Sequence, residues 1–147
     1  MSDADIELVR NLQPPPEADL ATLFSEPATW SAFTELSAAH FEADFECAGI
    51  GSPQGDLEAT GFDGLHELWS EWLSAWSTYR STIEDVIGGD DQVMVLTRDH
   101  AVSRHDGVEV DVRGASIWTL SEGRVARVEF HMNREGAWAA FAASSSA

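Results

Sequence analysis

The chain has 147 residues, 44% apolar and 10% aromatic, with a single cysteine; this suits one hydrophobic core and excludes disulfide-stapled scaffolds and multi-cysteine zinc sites. Twenty-six acidic residues against eight arginines, with no lysine, give a formal charge of -18, which would repel a nucleic-acid duplex or an anionic membrane. No basic start leads into an apolar run and nothing approaches the ~18 apolar residues of a membrane span, so a soluble, cytoplasmic protein is expected.

Ile6, Leu8, Val9 and Leu12 recur at helical spacing behind Ser2, Asp3 and Asp5, and Pro14, Pro15 and Pro16 stop that helix. Leu20, Leu23 and Phe24 predict a second short helix, and Trp30, Phe33 and Leu36 a third. At residues 41–47 the period changes to two: Phe41, Ala43, Phe45 and Cys47 share one face, and Glu42, Asp44 and Glu46 the other. Residues 48–61, with four glycines and a proline, predict a surface loop placed to gate a cavity.

Phe62, Leu65, Trp69, Trp72, Trp76 and Tyr79 keep i, i+3/i+4 spacing behind Asp63, predicting a long helix with an aromatic stripe. From Arg80 onward β-branched residues and the turns Gly88–Asp91, Asp106-Gly107 and Glu122-Gly123 predict antiparallel strands near 80–87, 92–104, 109–120 and 124–132. A last helix is expected at 134–142, followed by a fraying Ser/Ala tail at 143–147. With no repeat or linker, residues 1–147 are expected to form one α+β domain.

If Asp106-Gly107 and Glu122-Gly123 are two-residue turns, then Leu96, Ile117 and Val128 share a face with Met94, Ala115, Ala126, Phe130 and Met132. That register sets His100 opposite Arg113, with Arg98 nearby, at the rim of an apolar wall. The other face would carry Trp118, Ser116, Val110, Val112, Arg127 and Glu129, a mixture suited to a homodimer contact.

This order of elements resembles the nuclear transport factor 2-like superfamily, a cystatin-like roll with N-terminal helices on a curved, mainly antiparallel sheet. Residues 61–80 (GFDGLHELWSEWLSAWSTYR) look like the main-helix signature of its SnoaL-like branch. Residues 3–10 (DADIELVR) are similar to its opening helix, and residues 117–135 (IWTLSEGRVARVEFHMNRE) to its terminal hairpin and last helix. The resemblance implies a conical cavity between sheet and long helix, used by relatives for isomerisation, cyclisation, dehydration, epoxide hydrolysis or plain binding. It does not carry their catalytic residues over. Where ketosteroid-isomerase-like relatives keep a base, this chain has Cys47. At the epoxide-hydrolase-like positions stand Arg98, His100 and Phe130, of which only the arginine matches. Near the polyketide cyclases' aspartate stand His131 and Asn133.

His100 is the expected catalytic base and Arg98 the stabiliser of an oxyanion, since neighbouring guanidinium groups favour a neutral imidazole. The same residues could instead form a structural cluster with Arg113, Glu109 and Asp111. Phe45, Cys47, Trp72, Trp76, Tyr79, Leu96, Arg113, Ile117, Val128, Phe130 and Met132 are the expected ligand contacts, with burial supplying most of the affinity. His40, His66, His105 and His131 lack metal-ligand spacing, and no phosphate loop is spelled, so neither metal nor cofactor is expected. Two readings stand: a protein that binds a small, mostly apolar molecule, or an isomerase, cyclase or hydrolase built on His100 and Arg98.

Overall fold

The computed structural model describes residues 3–51 and 55–145, with side chains as far as residue 142. Helix α1 (Asp3–Leu12) carries Asp3 and Asp5 in its first turn, where carboxylates favour the free N–H groups. Asp19 caps α2 (Leu20–Ser25): its Oδ1 accepts from Ala21 N at 3.1 Å and from Tyr79 N at 3.0 Å, so one carboxylate starts a helix and moors it to a distant strand. Helix α3 (Pro27–Ser37) has a proline in its first turn, where no N–H is needed, and a 3-10 turn (Ala38–His40) leads into β1 (Phe41–Ile50).

There follow β2 (Leu57–Thr60), α4 (Gly61–Leu73), β3 (Trp76–Gly88), β4 (Gln92–Ser103), β5 (Glu109–Ser121), β6 (Arg124–His131) and α5 (Arg134–Ser145). The six strands form one sheet in the order β2-β1-β6-β5-β4-β3, antiparallel except for the parallel β1–β6 pair. Its inner face packs Val93, Val95, Trp118, Leu120, Val125 and Val128 against Val9 of α1 and Leu65 of α4. Its outer face packs Met94, Ala115 and Ile117 under Ala137 and Phe141 of α5.

The structure corrects four expectations. The segment 48–61 is not one loop: β1 runs to Ile50 and β2 pairs with it, Cys47 opposite Ala59. Residues 52–54, at the centre of the expected gate, lie outside the described residues. The aromatic helix is shorter than its spacing predicts, because Trp76 and Tyr79 belong to β3, opposite Ser103 and Ala101. There the β-branched run and sheet pairing override the helical period, and Ser74 Oγ closes the last turn onto Glu71 O at 2.6 Å. The last helix continues to Ser145, past the point where fraying is expected, while 146–147 lie outside the described residues.

The fourth correction concerns register. The Asp106-Gly107 reversal is wider than two residues: Ser103 N donates to Val108 O at 2.9 Å and Val102 pairs with Glu109. His100 therefore faces Asp111, not Arg113, a shift of two residues that leaves the faces unchanged. Glu122 and Gly123 do form a tight turn, with φ of 52° and 76°, between paired Ser121 and Arg124. Just beyond it Ala126 is an extra residue: Leu120 pairs with Val125 but Thr119 with Arg127. That bulge sets Val128 beside Trp118, not Ile117, and puts β4 and β5 the other way up from the regular hairpin.

Helix α4 sits close to β2 because Gly64 has no side chain: a Cβ there would lie 2.7 Å from Ala59 Cβ. Gly64→Ala is expected to lower stability by about 1–2 kcal/mol despite alanine's better helix propensity, measured by urea unfolding; an unchanged midpoint would show that α4 can move away freely.

Candidate functional site

Between the inner face and the helices lies a cavity of about 810 Å³. Leu20 and Phe24 of α2, Leu65, Trp69 and Trp72 of α4, and Trp118 and Phe130 of the sheet give it apolar and aromatic walls. The rings brace one another: Trp69 meets Phe130 edge-on at 5.0 Å and Tyr79 at 6.1 Å, and Phe24 stacks on Trp69 at 5.8 Å.

One polar cluster interrupts these walls. Asp99, on β4, is 5% exposed and lines the cavity. Its Oδ2 accepts from the Tyr79 hydroxyl at 2.5 Å and its Oδ1 from Ser81 Oγ at 2.6 Å, while the Thr97 hydroxyl also favours the charged carboxylate. Sheet register makes this possible, since Ser81 lies directly opposite Asp99 and Tyr79 opposite Ala101. The Tyr79 phenol proton is thus given to Asp99, and the Trp72 ring packs edge-on to Tyr79 at 6.3 Å. Space over the carboxylate is kept open by Gly114, whose absent Cβ would lie 3.1 Å from Thr97 Oγ1 and 3.7 Å from Asp99 Oδ2.

Burial raises the Asp99 carboxyl above its ordinary range; the Ser81, Tyr79 and Thr97 hydroxyls and the charge of Arg134 oppose that shift without cancelling it. Burial, with the Asp99 charge beside it, also raises the Tyr79 phenol, so Tyr79 stays a proton donor. Arg134 acts from outside the cavity lining, tied to Glu84 and to the carbonyls of Thr97, at 2.6 Å, and Gly114, at 3.3 Å. Among the described residues no arginine lines the cavity.

The expected contacts divide accordingly. Trp72, Tyr79, Phe130 and Met132 line the cavity. Phe45, Cys47 and Val128 lie in the core outside its lining, and Trp76 packs against Trp72 and Tyr79, also outside it. Burial pushes the Cys47 thiol up to about 11, which leaves little thiolate at neutral pH. Leu96 and Ile117 face outward and pack with α5.

Arg98, His100 and Arg113 do not rim the cavity; they project from the exposed outer face. Asp111 accepts from Arg98 at 3.3 Å and meets His100 Nδ1 at 3.2 Å, while His100 Nε2 lies 3.3 Å from Glu109. This is the surface ion cluster that the charged strands equally allowed. Trp118, Ser116 and Val112, expected outside, line the cavity instead. Asn133 caps α5, its Oδ1 accepting from Glu135 N at 2.8 Å and Gly136 N at 3.2 Å. His131 is buried beside Glu129, 3.1 Å away. Sequence reasoning missed the wall residues Leu20, Phe24, Leu65, Trp69 and Trp118 as contacts and, more consequentially, the polar cluster's Asp99, Ser81, Thr97 and Gly114. The advance signal for Thr97 and Asp99 was the alternate series Val93, Val95, Thr97, Asp99, Ala101, which places an acid in line with buried apolar positions.

The described residues contain no group of three His, Cys, Asp or Glu side chains able to hold a metal, and no helix among them is long and apolar enough to cross a membrane. A family model described as a SnoaL-like domain matches residues 18–128. No curated protein sequence matches the chain. Among solved structures, one from Jannaschia sp. CCS1, provisionally described as a SnoaL-like polyketide cyclase, superposes with a TM-score of 0.67 at 14% identity, covering 96% of this chain and 95% of that one. A nuclear transport factor 2-like protein of unknown function from Burkholderia pseudomallei K96243 superposes at 0.65 with 14% identity, covering 96% and 98%. TerC, co-crystallised with polyporic acid, superposes at 0.64 with 15% identity, covering 95% and 98%. At these identities the likeness shows the fold, an α+β roll of the nuclear transport factor 2-like kind.

Proposed function

Because the chain belongs to the SnoaL-like domain family, whose fold hosts both binding proteins and enzymes, we propose that it holds a small, mostly apolar molecule in its inner cavity. The molecule's body rests on Trp69, Trp72 and Phe130, and its polar end meets the Asp99–Tyr79–Ser81 cluster. The observation that carries this is a cavity of about 810 Å³ whose largely apolar walls converge on one buried carboxylate. TerC, co-crystallised with polyporic acid, supports the fold's capacity for organic ligands. A cytoplasmic location and a homodimer belong to the same proposal. The outer face that would meet a second copy is charged, with Arg98, His100 and Asp111 exposed.

An enzymatic reading, as an isomerase, polyketide-cyclase-like or epoxide-hydrolase-like catalyst, is favoured by one observation: a buried carboxyl with a raised affinity for its proton faces the cavity beside a phenol. In that reading Asp99 takes the acid–base role expected of His100.

The test is a thermal-shift titration with 1-naphthalenemethanol, a neutral probe with an apolar body. Saturation at 100 times Kd stabilises the fold by ~2.7 kcal/mol. Val112→Trp, which fills the cavity from the sheet side, is expected to abolish the shift. Absence of any shift, or an equal shift in the filled variant, would overturn cavity binding.

A further inference from the structure

Building on the cavity reading above, we infer that the site selects its ligand by charge: it takes an organic cation, an ammonium on an aromatic or alicyclic body, and rejects carboxylates of the same shape. Three features of the wall point to this. First, the hydrogen bonds that Asp99 accepts come from neutral donors, the hydroxyls of Tyr79 and Ser81, with the Thr97 hydroxyl also favouring its charged form. A carboxylate offers about four acceptor positions, so one remains, and the gap left by Gly114 opens beside it. Second, no arginine or lysine among the described residues lines the cavity, whose acidic side chains are Asp99 and Glu71. The lining histidines are His40 and His131, the latter held by Glu129, and Arg134 acts on Asp99 from outside the lining, so an incoming anion would meet a like charge across a low-dielectric space with no direct cationic partner, whereas an ammonium would supply one.

Third, the surroundings suit a cation. Tyr79 holds the carboxylate, and Trp72 and Trp69, edge-on to the Tyr79 ring at 6.3 and 6.1 Å, line the same cavity and offer aromatic surface to the methylene groups and charge of an amine. The expected basic rim would have selected the opposite ligand class, and the bulge at Ala126 reverses that preference by turning Arg98 and Arg113 outward.

A matched trio tests the inference: 1-naphthylmethylamine, 1-naphthalenemethanol and 1-naphthoic acid, titrated into the full chain at neutral pH by calorimetry. The amine is expected to bind at least tenfold tighter than the alcohol, and the acid at least tenfold weaker. Asp99→Asn should bring all three within about threefold while the alcohol still binds. Gly114→Val, which keeps the carboxylate but blocks its approach, should weaken the amine more than the alcohol. If none of the three binds, the cavity reading fails and this inference with it. If the alcohol binds while the acid binds equally well, or the amine gains nothing over it, the charge selection alone is overturned. The wild-type comparison decides this even should either variant fail to fold.

Discussion

Truncating Phe45 to alanine is expected to lower the unfolding free energy by about 3–5 kcal/mol, the range for removing a fully buried aromatic ring. The ring is 1% exposed and sits where strand, turn and helix meet, 4.6 Å from Phe41 and 5.0 Å from Phe62. Phe62 belongs to α4, so the hole left by Phe45 opens between that helix and the sheet, where surrounding backbone cannot easily collapse into it. Leu36 is the control: it is 80% exposed at the cavity's edge, and its truncation should change stability by about 0.5 kcal/mol or less. Urea titrations followed by tryptophan fluorescence measure both. A loss under about 1 kcal/mol at Phe45 would mean that the cavity beside α4 absorbs the vacated volume.

Phe45 also marks where sequence patterning works. Along β1 the alternation of apolar and acidic residues puts Phe41, Phe45 and Cys47 inside, all three buried, while Ala43, expected beside them, is exposed where the pairing with β6 shifts between Phe41 and Glu46. The β6 residues Val128 and Phe130 lie on the inner side as expected, because β6 pairs in parallel with β1, Cys47 opposite Val128. In β4 and β5 the pattern is ambiguous for a physical reason. Helices cover the inner face and α5 covers part of the outer one, so Met94 and Val95, neighbours pointing opposite ways, are both fully buried. Alternation then carries no sign, and the faces depend on register alone.

Register in turn depends on Ala126, a small residue with no turn signal of its own. The Glu122-Gly123 turn was legible because both residues adopt positive φ, for which glycine is the natural second residue. The bulge three residues later was not. A single inserted residue is enough to exchange Arg98, His100 and Arg113 for Thr97, Asp99 and Gly114 at the cavity wall. The overall roll was thus readable from periodicity and turns, while the chemistry of its site hinged on one unpaired position.

The exchange puts a carboxylate where the fold must bear its desolvation, which leads to the second large effect. Asp99 binds its proton more tightly folded than unfolded. Below the ordinary carboxylate range both states hold the proton and the burial imposes no charge penalty. As pH rises through that range toward the raised folded value, the unfolded chain releases its proton first, and the folded state loses stability by up to about 1.4 kcal/mol per unit of difference. Asp99→Asn removes the charge while its carbonyl can still accept from Tyr79 and its amide can donate to Ser81 Oγ. The variant is therefore expected to match or exceed the wild type at pH 8, and to lose that advantage on acidification. Glu129, held low chiefly by His131 and also by Arg127, and Asp111, held low by His100 and Arg98, shift stability the other way with pH. Those terms are common to both proteins and cancel in the difference. Paired urea titrations from pH 4 to pH 8 isolate the Asp99 contribution. A difference that stays flat, or that favours the wild type increasingly as pH rises, would show a carboxylate stabilised where it lies and would remove the reason to expect it to seek a cationic partner.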